Sequence, residues 1–259
     1  MVQAKWLVTI WVCLISTQCA SGHSIQDRFF DSNGARIRYQ VWGQGPSVVL
    51  IHGFGETLES WHRTKVVEVL SRHFQVIAID VRGHGHSSKP HDQKSYGPEL
   101  SADIVHLLRH LGKSKAHIVG YSMGGLIALD FAVFYPKHAL SVVLGGAGWN
   151  PPETLDDFRR QAEAYERGDF PVRAGDDPKA LAGLLRGLGV LSAEQVQSIR
   201  VPMAALIGTN DRFMPSVQRL SRALPDMEVR VIKDANHATA PGQPKFAAEL
   251  LALLLKQRK

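Results

Sequence analysis

The chain has 259 residues, 44% hydrophobic and 21% charged, with a formal net charge of +6 at pH 7. That composition excludes a disordered or low-complexity protein and supplies the apolar surface for one large core. The positive charge would admit an acidic partner, but Lys and Arg are scattered and no basic stripe carries interleaved aromatics. A solvated basic surface is therefore expected, and nucleic-acid binding is not.

In chain order, Lys5 precedes an apolar run over residues 6–15, and small residues follow at Ala20-Ser21-Gly22. This is the layout of a secretory signal peptide. Residues 1–22 are expected to be that signal, cleaved near Ala20 to Gly22, leaving residues 23–259 as one secreted or periplasmic domain. About ten apolar residues are too few to cross a bilayer, so no stable membrane span is expected in the mature chain. The alternatives are an uncleaved anchor, or lipidation at Cys19, which Gln18 fits poorly. Both cysteines, Cys13 and Cys19, fall in this segment. The mature chain would then carry no disulfide and no thiol nucleophile.

Phe29-Phe30 and residues 36–42 read as strands solvated on one face, joined by an Asn33-Gly34 hairpin turn. Ser47-Val48-Val49-Leu50-Ile51 is a continuous apolar run, as expected of a strand buried on both faces of a parallel sheet. A helix over residues 60–70 and a second buried strand over 74–79 follow. Pro98 opens an amphipathic helix that Gly112 stops. A strand over 116–119, a buried helix ended by Pro136 and a strand over 140–144 continue the alternation, which predicts right-handed crossovers and a doubly wound sheet. Residues 149–200 contain no convincing strand; helical spacing and a Ser192-Ala193-Glu194-Gln195 capping box predict several short helices. The sheet resumes at residues 203–207 and 228–232, and a helix over 245–256 closes the chain.

Gly120-Tyr121-Ser122-Met123-Gly124 has the G-x-S-x-G form, in which a serine sits on a sharp turn between a buried strand and a helix. A serine hydroxyl needs a base within reach and a carboxylate to fix that base's tautomer. Asp211 and His237 each follow an apolar strand and come in the order Ser, acid, His. Singly, Asp211 reads as a turn residue and His237 as a surface histidine; jointly they point to a triad. Asp234 is the alternative acid, too close along the chain to reach the far side of the imidazole, and Asp130 lies inside the elbow helix. The N–H groups of Met123 and Phe54 are the candidate oxyanion donors, with Gly53 and Gly55 expected to let the Phe54 backbone approach. His52 is expected to hold that loop in place. No metal-binding or phosphate-cradling pattern is present and His84/His86 lack an evident third ligand, so no cofactor is expected.

With these motifs in order, the chain resembles the α/β-hydrolase family over nearly all of residues 23–259. His52-Gly53-Phe54-Gly55 matches the family's oxyanion motif, Asp80-Val81-Arg82-Gly83-His84-Gly85-His86-Ser87 its D-x-R-G-x-G-x-S turn, and Gly208-Thr209-Asn210-Asp211 and His237 its acid and base positions. The resemblance implies an α/β fold: a doubly wound, mostly parallel α/β-hydrolase sheet with a short helical lid insertion at about residues 149–200. It also implies a carboxylesterase-like serine hydrolase that cleaves a small apolar ester through an acyl-enzyme. In the resembling haloalkane dehalogenases and epoxide hydrolases an aspartate holds the elbow position, so Ser122 disfavours an alkyl-enzyme ester. Thioesterase and carbon–carbon bond hydrolase chemistry, which use the same triad, remain alternatives, as does a ligand-binding protein with little turnover.

Overall fold

Asn33 and Gly34, at φ 53° and 82°, form the tight turn that pairs β1 (Arg28–Ser32) with β2 (Ala35–Trp42) in antiparallel fashion. The structure, a computed structural model, describes residues 26–257. The expected signal segment, with Cys13, Cys19 and the cleavage region, lies outside the described residues. The apolar runs become β3 (Ser47–Ile51), β4 (Gln75–Ile79), β5 (Ala116–Tyr121), β6 (Ala139–Gly145), β7 (Met203–Gly208) and β8 (Glu228–Ile232). They form one sheet in the order β1-β2-β4-β3-β5-β6-β7-β8. From β4 to β8 every pairing is parallel, and β2 meets β4 antiparallel. This is the expected doubly wound, mostly parallel sheet.

Nine α-helices are described: α1 (Ser60–Arg63), α2 (Val66–Leu70), α3 (Pro98–His110), α4 (Met123–Phe134), α5 (Thr154–Arg167), α6 (Pro178–Gly187), α7 (Ala193–Gln197), α8 (Met214–Ala223) and α9 (Pro244–Lys256). Successive strand side chains point to opposite faces. Val48 and Leu50 therefore enter an apolar layer with Trp61 of α1, Leu70 of α2 and Leu250 of α9. Val49 and Ile51 enter the other, with Ile104 of α3, Phe131 of α4 and Leu220 of α8. The expected helix over residues 60–70 is two, because Lys65 takes φ 59° between them. The Thr64 hydroxyl donates to the Ser60 carbonyl at 3.0 Å and the Lys65 N–H to the His62 carbonyl at 2.8 Å, closing the first turn. With that break, Trp61 and Val66 both reach the same layer.

Helices α5, α6 and α7 are inserted between β6 and β7, and no strand occurs in that segment. Glu166 on α5 accepts a two-pronged pair from Arg186 of α6, at 2.5 and 2.7 Å. The Ser192 capping box is formed, with Gln195 N–H donating to the Ser192 hydroxyl at 3.3 Å and Ser192 N–H to Gln195 Oε1 at 2.8 Å.

The turn after β4 is held by buried charges. Asp80 is fully buried and accepts from the N–H of Leu58 at 2.9 Å, the N–H of His86 at 2.8 Å and Arg38 at 3.1 Å. Arg82 grips both oxygens of Asp103 on α3, at 3.1 and 2.6 Å, and donates to the Ser32 carbonyl at 3.1 Å. Each buried charge is thus paired and hydrogen-bonded, which offsets its desolvation. Arg82 and Asp80 thereby brace the loops. Among the described residues no helix is long and apolar enough to cross a membrane, and no group of three His, Cys, Asp or Glu side chains could hold a metal ion.

Candidate active site

The carboxyl ends of β5, β7 and β8 face one side of the sheet, and the three candidate residues follow them. Ser122 takes φ 54° and ψ −115° between β5 and the first residue of α4. A β-substituted residue in that region is strained by about 1–3 kcal/mol and persists only where its surroundings over-determine it. Here they do. Ser122 N–H donates to the Gly145 carbonyl of β6 at 2.7 Å, and the Ser122 carbonyl accepts from Gly125 and Leu126 at 2.9 and 3.2 Å. A Cβ at Gly120 would lie 1.9 Å from the Gly124 carbonyl oxygen, and one at Gly124 would lie 2.2 Å from the Ile51 carbonyl oxygen. The second clash is with the neighbouring strand β3, not with the strand that carries the serine.

His237 lies between the other two residues. Its Nε2 is 2.9 Å from Ser122 Oγ and its Nδ1 is 2.9 Å from Asp211 Oδ2. A carboxylate oxygen only accepts, so Nδ1 carries the proton and the Nε2 lone pair faces the hydroxyl. Asp211 is buried, and its other oxygen accepts from the Phe213 N–H at 2.9 Å. The acid and histidine loops are laced together: Thr209 N–H donates to Ile232 at 3.0 Å, Asn210 N–H to Ala235 at 2.9 Å and Asp234 N–H to the Thr209 hydroxyl at 2.9 Å. Asp234 itself points to solvent, with 80% of its side chain exposed, and does not approach the imidazole.

Phe54 and Met123, the two residues expected to supply oxyanion donors, both line the chamber beside Ser122. Met123 N–H opens α4, where the first turn has no intrahelical acceptor and the helix dipole is positive. Phe54 N–H follows β3 and makes no backbone hydrogen bond among the described residues. The loop is pinned around it. Glu56 N–H donates to the Gly53 carbonyl at 3.1 Å, and Gly55 N–H donates to His84 Nε2 at 3.0 Å. His52 Nδ1 donates to the Gly53 carbonyl at 2.8 Å while its Nε2 accepts from Val81 N–H at 2.9 Å. Burial holds both histidines below the ordinary imidazole range, so they stay neutral and keep these acceptor roles. The steric reason expected for Gly53 is absent, because a Cβ there would sit at an ordinary 3.4 Å from Ser122 Cβ. Gly55 is needed for its φ of 67°.

Sequence reasoning missed several residues that hold this arrangement. The Tyr121 hydroxyl donates to the His237 carbonyl, and burial together with the Asp211 charge raises its pKa, keeping it a donor. Phe213 presents its ring edge-on to the imidazole, 4.8 Å between centres. Asn236 Oδ1 accepts from the N–H groups of Ala238 and Thr239 at 3.0 Å each, shaping the histidine loop. Only Asn236, a turn former two residues before an acceptor-seeking N–H, left a local sequence signal.

Asp130 lies on α4 away from the imidazole, against a small cavity shared with Trp149 and Asn150. Burial pushes its carboxyl up to about 7. The unfolded chain releases that proton near pH 4 and the folded chain near pH 7, so stability declines as pH rises through that window. Asp130→Asn is therefore expected to match wild type in thermal melts at pH 4 and to exceed it by a few degrees at pH 8. A difference that does not change with pH would contradict this.

Two chambers meet at Ser122, sharing Phe54 and His237. One, of about 400 Å³, is also lined by Glu56, Trp61, Arg63 and Tyr121; the other, of about 250 Å³, by Leu126, Phe158, Leu185 and Arg212. Of the aromatic residues between β6 and β7, Phe158 lines the smaller chamber. Trp149 packs under Arg219 and donates to the Leu191 carbonyl at 2.8 Å, and Tyr165 packs on Phe54.

The chain has relatives among known proteins. It is 28% identical to the pimeloyl-[acyl-carrier protein] methyl ester esterase of Vibrio vulnificus, over 83% of this chain and 97% of that protein. It is 37% identical to bifunctional epoxide hydrolase 2 of Sus scrofa over 110 residues, which are 42% of this chain and 20% of that protein. The chain thus spans a fifth of that longer relative. The solved enol-lactonase from Burkholderia xenovorans LB400 superposes with a TM-score of 0.76 at 23% identity, over 88% of this chain and all of that one. Residues 46–188, which run from β3 through the elbow into α6, match the family described as the alpha/beta hydrolase fold. With that match covering more than half of its length and the same sheet beneath it, the chain belongs to the alpha/beta hydrolase family.

Proposed function

We propose that the protein is a serine hydrolase that cleaves a carboxylic ester of a small substrate through an acyl-enzyme. The observation that carries this reading is His237 at 2.9 Å from both Ser122 Oγ and Asp211 Oδ2. Ser122 Oγ attacks the ester carbonyl carbon as its proton passes to His237 Nε2, and Asp211 holds the resulting imidazolium. The carbonyl oxygen, now negative, accepts from the N–H groups of Phe54 and Met123. Collapse breaks the bond to the alcohol oxygen, which takes the proton from Nε2 and leaves. Water then repeats the sequence on the acyl-enzyme, releasing the acid and restoring Ser122. Helices α5 to α7 act as a lid, since Phe158 and Leu185 roof the smaller chamber. The N-terminal segment directs the chain out of the cytoplasm.

The test is a panel of p-nitrophenyl esters of graded acyl length set beside thioesters, epoxides and β-diketones. Turnover of the esters with shorter acyl groups is expected. Turnover confined to the diketones would move the assignment to carbon–carbon bond hydrolysis, and turnover confined to the epoxides would overturn it.

A further inference from the structure

The two chambers that meet at Ser122 use their cations differently. In the larger one Arg63 pairs with Glu56, which also takes both terminal nitrogens of Arg173. In the smaller one the cation is Arg212, and no carboxylate shares its lining. The Arg212 guanidinium lies 4.9 Å from the centre of the Phe213 ring, and among the described residues it makes no ion pair or hydrogen bond. Asp130 lines the separate small cavity behind Leu126 and Asn150.

A second polar group faces the same space. Asn150 is 8% exposed and lines the smaller chamber, yet its amide has no hydrogen-bond partner among the described residues. Its amide atoms keep solvent access, so they stay open to a partner that enters the chamber. Gln161 of α5 adds another amide to the lining. The remaining walls, Met123, Leu126, Leu185 and Phe213 among them, are apolar.

We propose that this chamber is a subsite for a carboxylate at the far end of the acyl group, so that the substrate is a half-ester of a short dicarboxylic acid held by Arg212 and Asn150. The proposal rests on the serine-ester reading above for its reaction, but not for its binding. A guanidinium fork matches both oxygens of a carboxylate, and an amide N–H₂ can donate to either oxygen. The apolar walls take the methylenes between the two ends. At about 250 Å³ against about 400 Å³, it is the smaller of the two chambers, which suits the shorter, acid-bearing end of the substrate. The chain that follows His237 lines the larger chamber, through Ala238, Pro241 and Gly242, which leaves that side for the departing alcohol.

The experiment separates binding from turnover. Ser122→Ala protein is titrated calorimetrically with monomethyl glutarate and with dimethyl glutarate, with and without Arg212→Gln. Arg212 is exposed at the surface, so its replacement leaves the fold intact. The expected result is tighter binding of the acid, with a preference over the diester that falls roughly 10- to 100-fold on Arg212→Gln. In enzyme retaining Ser122, the ratio of kcat/KM for p-nitrophenyl hydrogen glutarate to that for p-nitrophenyl pentanoate should fall by a similar factor. Equal binding of the two ligands, or equal loss of both, overturns the subsite. Selective binding of the acid by Ser122→Ala protein, with no ester cleaved by wild type, leaves the subsite standing and removes the serine-ester reading instead.

Discussion

Ser122→Ala is expected to lower kcat for p-nitrophenyl esters by on the order of 10⁴- to 10⁶-fold, with KM and thermal stability little changed. The loss is large because Ser122 and His237 act as a unit: without the hydroxyl, Nε2 has no proton to take and no acyl-enzyme forms. Residual activity would come from the Phe54 and Met123 donors acting on direct attack by water. His237→Ala should fall in the same range and, in combination with Ser122→Ala, add little. Additive losses would mean that the two residues work on separate steps.

Gly120→Ala should damage fold and activity together. Its new Cβ would meet the Gly124 carbonyl oxygen at 1.9 Å and the Gly125 nitrogen at 2.7 Å, both backbone atoms that no rotamer change can clear. Relief requires α4 to move away from β5, and α4 carries the Met123 N–H. Overpacking of this kind costs about 1–3 kcal/mol or more, each kcal/mol lowering Tm by about 2–4 °C at this size. A misplacement of about 1 Å at a reacting centre costs roughly 10²-fold in rate. Gly189→Ala is the control, since its Cβ would meet nothing within 4 Å and its φ is not positive. Equal melting and turnover in the two variants would show that the elbow is not the tight junction described.

These effects are large because the elbow concentrates several short-range constraints, and the same feature made it legible in sequence. Gly120, Ser122 and Gly124 are neighbours, and the apolar runs that became β3, β5 and β7 announce strands buried on both faces. Asp211 and His237 could be placed because each follows such a run. The hairpin of β1 and β2 followed from Asn33-Gly34, but nothing local indicates that β4 sits between β2 and β3, since that order depends on a crossover. The break at Lys65 was hidden for a similar reason, as its φ of 59° is imposed by the packing of Trp61 and Val66 and no Gly or Pro marks it.

The support around the site was the least legible part. Tyr121 reaches the His237 carbonyl across 116 positions, and Arg173 reaches Glu56 across 117. His84, within a turn whose motif resembles a brace, also supplies the acceptor for Gly55 N–H. Such contacts depend on tertiary placement, and their residue types are common on any surface. The division of the cavity into two chambers has the same origin, because its walls come from α1, α4, α5, α6 and the loops after β3, β6, β7 and β8.

The central claim is that Ser122 is a nucleophile activated by His237, and covalent labelling with a fluorophosphonate tests it most directly. Folded wild-type protein, digested and read by mass spectrometry, should carry one phosphonyl group on the peptide containing Ser122, while Ser122→Ala protein should carry none and His237→Ala should label far more slowly. Folded wild type that takes no label, or Ser122→Ala protein that labels equally, would contradict the account.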